Sequence, residues 1–98
     1  MSGFVELASS AAVTTGAGSG IGRASALSLA RRGAAIVATD IDGDRAEAIA
    51  SEISANGGRS VSMRCDVTDP AAFERMRELT LEAFGRVDIV MNNVASSP

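Results

Sequence analysis

The sequence predicts an α/β fold with a doubly wound parallel sheet of four strands in the order 3-2-1-4. Short apolar runs alternate with amphipathic helical patterns, turn signals separate them, and four glycines crowd the first of these turns. Strands that alternate with helices of this length form parallel sheets with right-handed crossovers. We therefore expect part of one domain, with helices on both faces of the sheet.

The first predicted strand, residues 11–15, ends at the stretch TGAGSGIG, which places four glycines in eight residues. A helix follows over residues 21–33, closed by Gly33 after two arginines that suit the negative end of the helix dipole. Glycine in a strand-to-helix turn allows positive φ angles and close approach of a ligand to the backbone. Free N–H groups at the start of a helix favour an anion, so this turn predicts a phosphate site.

The second and third strands enclose a helix with a clear apolar period. The second strand covers residues 34–39, with Asp40 at its end, and the third strand covers residues 60–65. The helix between them follows the turn IDGD and stops at Asn56-Gly57-Gly58. Its apolar positions recur at i, i+3, i+4 and i+7, which predicts one buried face. That face consists of Ala46, Ile49, Ala50 and Ile53.

The last helix and strand complete the predicted sheet. Asp69 and Pro70 give an N-cap and first-turn signal, and Gly85 ends the helix that follows. The fourth strand covers residues 87–93 and is apolar except for Asp88, a pattern typical of strands with both faces covered. The expected buried face of the helix consists of Phe73, Met76, Thr80 and Phe84.

The glycine spacing and the acid after it predict a dinucleotide site. Gly16, Gly20 and Gly22 give the pattern G-x-x-x-G-x-G, and the chain has no lysine to complete a P-loop. Asp40 follows Gly22 by 18 positions, close to the offset of about 20 at which a carboxylate meets the adenosine ribose hydroxyls. A carboxylate about 4 Å from a phosphate charge costs roughly 4 kcal/mol at an effective dielectric of about 20, or about a thousandfold in affinity. The pattern therefore favours NAD over NADP, with the alternative that Asp40 only starts the turn IDGD.

The glycine stretch resembles the T-G-x-x-x-G-I-G phosphate-binding turn of the short-chain dehydrogenase/reductase family, and the resemblance runs along the whole chain. It implies a Rossmann-type doubly wound sheet, truncated here after the fourth strand. Residues 1–98 are then the N-terminal part of a single NAD(P)-binding domain. The resemblance also implies the cofactor-binding residues of the turn and of the second strand. These are Thr15, Gly16, Ser19, Gly20, Ile21, Gly22 and Asp40.

The segment Cys65-Asp66-Val67 is similar to the part of the family that follows the third strand. The resemblance implies that Asp66 and Val67 contact the adenine ring. The alternative is that Asp66 caps the turn before Asp69.

The pair Asn92-Asn93 is similar to the start of the family's N-N-A-G motif, which implies that Asn93 lies near the cofactor ribose. Val94 and Ala95 replace the Ala and Gly of that motif. These replacements add Cβ bulk where the backbone of the family lies close to the nicotinamide half of the cofactor.

The family transfers hydride between a nicotinamide and a carbonyl or alcohol, with a Tyr as general acid/base whose pKa is lowered by a nearby Lys. This chain contains neither Tyr nor Lys, so the sequence assigns no catalytic residue. The resemblance implies the leading, cofactor-binding part of an NAD-dependent oxidoreductase, and we expect this part to be inactive alone. Two alternatives stay open: a non-catalytic dinucleotide-binding module completed by a partner, and an adenosylmethionine-binding fold.

Composition argues against several other classes of protein. A net charge of −3 with nine scattered arginines predicts no nucleic-acid partner. The start MSGFVELASS lacks a basic and apolar leader, and no run approaches the ~18 apolar residues of a membrane span, so we expect a cytoplasmic protein. One cysteine and no histidine predict neither a disulfide nor a metal site. The expected role of Cys65 is that of a small buried hydrophobe.

Self-association is the remaining expectation about partners. With the chain ending at Pro98, the fourth strand becomes a sheet edge whose N–H and C=O groups have no neighbouring strand. Apolar edges of this kind promote pairing between copies, and only Asp88 interrupts this one.

Overall fold

The computed structural model describes residues 9–92, which form four strands and three helices in strict alternation. All three neighbouring strand pairs are parallel, and the order across the sheet is 3-2-1-4, so the predicted fold class is confirmed. The elements are β1 (Ala11–Thr15), α1 (Gly20–Arg31), β2 (Ala35–Asp40), α2 (Gly43–Ala55), β3 (Ser60–Arg64), α3 (Ala72–Phe84) and β4 (Ile89–Asn92).

The helices divide between the two faces of the sheet. Successive residues of a strand point to opposite faces, so Ile36 packs in one apolar cluster with Ala26 of α1 and Ile53 of α2. Its neighbour Val37 packs in a second cluster with Met76 of α3. Because helices cover both faces, β1 and β2 are buried along their whole length.

The bounds of α2 follow the sequence signals. Asp42 is its N-cap, and the Oδ1 atom of Asp42 accepts hydrogen bonds from the N–H groups of Asp44 at 3.0 Å and Arg45 at 3.4 Å. The helix ends at Ala55, immediately before the predicted stop at Asn56. Its predicted apolar face is buried, namely Ala46, Ile49, Ala50 and Ile53.

The start of α3 differs from the prediction. The helix begins at Ala72, and its N-cap is Ala71 rather than Asp69. The Oδ1 atom of Asp69 instead accepts a hydrogen bond from the Ala71 N–H at 3.0 Å, in the turn before the helix. Aspartate in a turn favours this bond to the backbone two residues on, so the prediction of Asp69 as N-cap is wrong.

The buried face of α3 also departs from the expected set. Ala72, Met76 and Thr80 are buried at a spacing of four residues, and the Thr80 hydroxyl donates to the Met76 carbonyl at 2.6 Å. Phe73 is 44% exposed, because it follows Ala72 and lies about 100° around the helix from that face. The prediction of Phe73 in the core is therefore wrong, whereas Met76 and Thr80 are buried as expected.

Cys65 lies in the second apolar cluster, which confirms its expected role as a small buried hydrophobe. Burial raises the pKa of its thiol, so the thiol stays protonated near neutral pH. Within residues 9–92, no helix combines the length and hydropathy needed to cross a membrane. The same residues contain no group of three or more His, Cys, Asp or Glu side chains placed to hold a metal ion.

Asp88 joins the start of β1 to the start of β4. Its Oδ2 atom accepts a hydrogen bond from the Ala11 N–H at 2.9 Å, while its own N–H donates to the Ala11 carbonyl at 2.9 Å. The Arg86 guanidinium donates to both carboxylate oxygens at 2.7 Å. The register of β1 and β4 begins immediately after these bonds, so we infer that Asp88 fixes how the two strands align.

The Asp88 carboxylate should make folding stability depend on pH. Its bonds to Arg86 and to the Ala11 N–H hold its pKa below the ordinary value. A lowered pKa in the folded state adds stability that is present above about pH 4, the unfolded value, and is lost as pH falls through the folded value. Asp88→Asn should lower the melting temperature near pH 7 and weaken its dependence on pH at acid pH.

Thermal unfolding followed by circular dichroism between about pH 7 and about pH 3 measures this difference. Glu74→Gln is the matched control, because Glu74 forms a solvent-exposed pair with Arg77. Asp66 and Asp69 also have lowered pKa values, so part of the pH dependence remains in Asp88→Asn. Identical pH profiles for the parent and Asp88→Asn would contradict the role of Asp88.

Candidate functional site

The turn between β1 and α1 lies at the carboxyl edge of the sheet. Gly16 and Gly20 have φ angles of 61° and 50°, a region that L side chains rarely adopt. The N–H of Ala17 donates to the carbonyl of Thr39 at 2.9 Å, which ties the turn to the end of β2. Ser19 is the N-cap of α1 and is exposed. The turn is therefore fixed by the sheet on one side and open to solvent on the other.

Gly22 brings the first turn of α1 against the end of β1. A Cβ atom at this position would overlap the carbonyl oxygen of Gly16 and lie 2.8 Å from its carbonyl carbon. Gly22 is buried, so the space is already filled by the backbone of the turn. Only glycine at position 22 allows this approach.

The solvent side of the turn is open around Gly20 and Ile21. A Cβ atom at Gly20 would meet nothing within 4 Å, and the side chain of Ile21 is 77% exposed. The first N–H groups of a helix have no partner within the helix and carry its positive pole. The space beside Gly20 at the start of α1 is therefore open, and an anionic group placed there would face the start of the helix.

Asp40 connects this turn to the second strand. It is only 5% exposed, and its Oδ2 atom accepts a hydrogen bond from the Gly18 N–H at 3.0 Å. Its Oδ1 atom accepts from the Asp42 N–H at 2.9 Å. Two backbone donors therefore orient the carboxylate at the carboxyl edge, while each oxygen keeps a second lone pair to accept further bonds.

Asp66 and Val67 follow β3 at the same edge of the sheet, and both are half-buried. The Oδ1 atom of Asp66 accepts hydrogen bonds from the Thr68 N–H at 2.9 Å and the Thr68 hydroxyl at 2.7 Å. These bonds lower the pKa of Asp66 and stabilise the loop. They match the alternative in which Asp66 caps a turn, and the contact of Asp66 and Val67 with adenine stays a prediction.

Thr15 links the ends of β1 and β4. Its hydroxyl lies 2.9 Å from Oδ1 of Asn92, the residue paired with Thr15 in the parallel register. Thr15 is thus buried as a bridge between strands, beneath the glycine turn. The predicted site residue Asn93 lies outside the described residues, as do Val94 and Ala95.

Three contributors to this edge were missing from the sequence prediction. The Gly18 N–H binds Asp40, Arg45 packs beside Gly18, and Asn92 bonds to Thr15. Gly18 lies in the glycine stretch and Asn92 in the Asn92-Asn93 pair, so the sequence carries a signal at both positions. Arg45 carried none, because its proximity to the turn depends on how α2 packs.

The parallel sheet, the glycine turn after β1 and the acid that ends β2 define a Rossmann-type fold of the class that binds dinucleotides. A family model described as short chain dehydrogenase matches residues 10–98. The chain belongs to the short-chain dehydrogenase family.

Curated relatives agree with this assignment. The chain is 40% identical over 89 residues to 1-deoxy-11-beta-hydroxypentalenate dehydrogenase of Streptomyces exfoliatus, covering 91% of this chain and 32% of that protein. It is 38% identical over 82 residues to 7alpha-hydroxysteroid dehydrogenase of Escherichia coli strain K12, covering 84% of this chain and 32% of that protein. The chain thus spans about a third of the length of these relatives.

Solved structures give the same result for the fold. A hydroxysteroid dehydrogenase from Escherichia coli superposes with a TM-score of 0.85 at 36% identity, over 89% of this chain and 37% of that one. A 7 alpha-hydroxysteroid dehydrogenase complexed with NADH and 7-oxo glycochenodeoxycholic acid superposes with a TM-score of 0.80 at 36% identity. That match covers 83% of this chain and 32% of the other.

Gly22→Ala tests the close approach of α1 to β1. The added methyl group overlaps the Gly16 carbonyl, so we expect a loss of about 1–3 kcal/mol in the free energy of unfolding, as for overpacked sites. Gly43→Ala is the matched control, since its Cβ would lie 3.3 Å from the Cβ of Arg64, which is a tight contact without overlap. Chemical denaturation of both variants measures the effect. Equal stability of the two variants would contradict the close approach.

Proposed function

We propose that residues 1–98 form the leading part of one dinucleotide-binding domain of a short-chain dehydrogenase that uses NAD in preference to NADP. The complete enzyme would transfer hydride between this cofactor and a carbonyl or alcohol. One observation carries the proposal: the Gly18 N–H donates to Asp40 at 3.0 Å. This bond joins the phosphate-binding turn and the strand-end acid in a single site.

The open space at the turn and the charge of Asp40 support an adenine dinucleotide as the ligand. The open side of the turn at Gly20 leaves room for a pyrophosphate near the start of α1, where N–H donors favour anions. The second lone pairs of the Asp40 oxygens suit the two hydroxyls of a ribose. Asp66 and Val67, on the neighbouring loop, are proposed to contact the adenine ring.

The other proposed cofactor-binding residues either shape and support the glycine turn or contact the cofactor. The turn residues Gly16, Ser19 and Gly22 shape the backbone around the phosphates, and Thr15 supports the turn from below. Ile21 is exposed and is proposed to contact the cofactor directly. Asn93 is proposed to lie near the ribose on the nicotinamide side.

A bound nicotinamide supplies the hydride donor or acceptor, and the described residues bind and orient the adenosine and phosphate parts. Neither Tyr nor Lys occurs in the chain, so we assign it no general acid or base. The solved relative named with NADH supports the cofactor class. The preference for NAD rests on Asp40, because a buried carboxylate held by two N–H groups repels a 2′-phosphate.

Asp40→Ala tests the assignment of this carboxylate. The parent is expected to bind NAD more tightly than NADP. The variant should reduce the ratio of the two affinities by about tenfold or more, and by no more than about a thousandfold. Isothermal titration calorimetry with both cofactors measures the ratio. Asp44→Ala is the control, since this aspartate stands in the first turn of α2 and makes no side-chain bond to the glycine turn among the described residues. Equal affinities of the parent for NAD and NADP would overturn the role of Asp40.

Self-association through β4 is also proposed for residues 1–98 studied as an isolated chain. In the described part of the chain, β4 pairs with β1 on one side and forms an edge of the sheet on the other. Val90 is 54% exposed there and lines an apolar groove of about 280 Å³. An apolar strand at an edge favours pairing with a second copy. The groove is lined by Val13, Phe73, Met76, Arg77, Val87 and Val90.

Val90→Lys tests this proposal more cleanly than Ile89→Lys, because Ile89 packs against the core and Val90 faces solvent. The charge should shift the protein towards monomer by discouraging edge pairing. Leu81→Lys is the control, since Leu81 is an exposed apolar residue of α3 outside the groove. Sedimentation velocity over a range of concentrations reports the oligomeric state. A parent that stays monomeric at high concentration would rule the proposal out.

A further inference from the structure

The loop between α2 and β3 lies at the amino edge of the sheet, away from the proposed cofactor site. Its first residues, Asn56 and Gly57, are both exposed to solvent. Gly57 has a φ angle of 86°, and a Cβ atom built on it would meet nothing within 4 Å. In the sequence, Asn56 is the only asparagine that precedes a glycine. The loop therefore presents an amide side chain next to a backbone nitrogen that no side chain of its own residue shields.

An asparagine in this context can lose its side-chain amide without an enzyme. The backbone nitrogen of Gly57 attacks Cγ of Asn56, so that a new N–Cγ bond forms and the Cγ–Nδ2 bond breaks. The proton of the attacking N–H leaves with Nδ2 as ammonia, and a succinimide ring remains. Water then opens the ring at either carbonyl, which gives aspartate or isoaspartate at position 56. Water is the only co-reactant, and no atom is oxidised or reduced.

The C-cap of α2 holds the reacting groups apart in the folded protein. The ψ angle of Asn56 is 14°, so the Gly57 nitrogen nearly eclipses the backbone nitrogen of Asn56 and lies away from its Cβ. The Gly57 N–H donates to the Ser54 carbonyl at 3.0 Å. The Nδ2 atom of Asn56 donates to the Glu52 carbonyl at 3.0 Å. Ring closure therefore requires ψ to rotate and both hydrogen bonds to break.

We propose that Asn56 is a site of spontaneous deamidation whose rate is set by opening of the C-terminal end of α2. Helix ends open at a lower free energy than the whole fold, so the reaction proceeds while the core stays folded. Each opening breaks the two hydrogen bonds of the cap, and each bond slows the reaction several-fold. The folded chain should therefore react more slowly than the same segment without structure, by about tenfold or more. The inference does not depend on cofactor binding.

Deamidation would weaken the junction between α2 and β3. A carboxylate at position 56 has no N–H to donate to the Glu52 carbonyl, and its charge is unfavourable at the negative pole of the helix. Isoaspartate also adds a methylene group to the backbone just before Gly58, where space is limited. The Gly58 N–H donates to the Ile53 carbonyl at 2.9 Å, and a Cβ atom at Gly58 would lie 2.6 Å from Cγ2 of Ile53. The product should therefore keep the end of α2 open.

The test follows Asn56 by peptide mapping with mass spectrometry while the folded chain is incubated near neutral pH. Trypsin cleaves after Arg45 and Arg59, so residues 46–59 form a peptide in which Asn56 is the only asparagine. A synthetic peptide of residues 46–59 in the same buffer gives the rate without structure. We expect aspartate and isoaspartate at position 56 in the folded chain, formed about tenfold or more slowly than in the peptide. The same peptide with Gly57→Ala should react more slowly, because a side chain then hinders the attacking nitrogen.

Ile53→Val separates opening of the helix end from unfolding of the whole chain. Ile53 lies against Gly58, so a smaller side chain should loosen this end of α2 and speed deamidation about two- to tenfold. Ile49→Val is the matched control, because Ile49 is buried on the same face one turn earlier. It should leave the rate close to that of the parent.

Four results would overturn the inference. A folded chain that reacts as fast as the peptide would show that the C-cap does not set the rate. A folded chain that keeps Asn56 after the peptide is fully converted would show that the position is not modified. Equal acceleration by Ile53→Val and Ile49→Val would assign the rate to global unfolding. A deamidated fraction that unfolds at the same denaturant concentration as the intact chain would remove the effect on the junction.

Discussion

The close approach of α1 to the end of β1 is the constraint on which the rest of the site depends. It requires glycine at position 22, because any side chain there would occupy the space of the Gly16 carbonyl. The approach directs the first N–H groups of the helix towards the carboxyl edge of the sheet. It also leaves Gly18 next to β2, where its N–H reaches Asp40. The two halves of the candidate site therefore follow from one packing contact.

Elements with strong local signals could be predicted from the sequence. The apolar period of α2 predicts Ile49 and Ile53 in the core, where they lie, and the glycine turn and Asp40 mark the candidate site, because these features are encoded within a few neighbouring residues. The prediction for Phe73 is wrong because the buried face of α3 is centred on Ala72, Met76 and Thr80, and the sequence signal does not distinguish that face from the adjacent one that contains Phe73. Arg45 was missed because its contact with Gly18 joins residues that only the packing of α2 brings together.

The carboxyl edge of the sheet combines buried polar groups without leaving them unsatisfied. Thr39 donates through its hydroxyl to the Thr14 carbonyl, and Thr15 bonds to Asn92, so hydroxyls inside the sheet add links between neighbouring strands. Among the described residues, no buried side-chain nitrogen or oxygen lacks a partner. Such a network makes the edge rigid, because moving one strand end breaks several bonds at once. A rigid edge suits the binding of an elongated ligand in one orientation.

Strand alignment and ligand binding are assigned to opposite edges of the same sheet. Asp88 fixes the register at the amino edge, where β1 and β4 begin, and Asp40 serves the carboxyl edge, where β2 ends. Both carboxylates accept backbone N–H bonds, but Asp88 is also neutralised by Arg86, whereas Asp40 receives only backbone donors among the contacts described. The charge of Asp88 is thus neutralised within the fold, whereas the charge of Asp40 remains able to act on a ligand. The difference in their partners, rather than in the residue type, explains why Asp88 is assigned a structural role and Asp40 is proposed to act on a ligand.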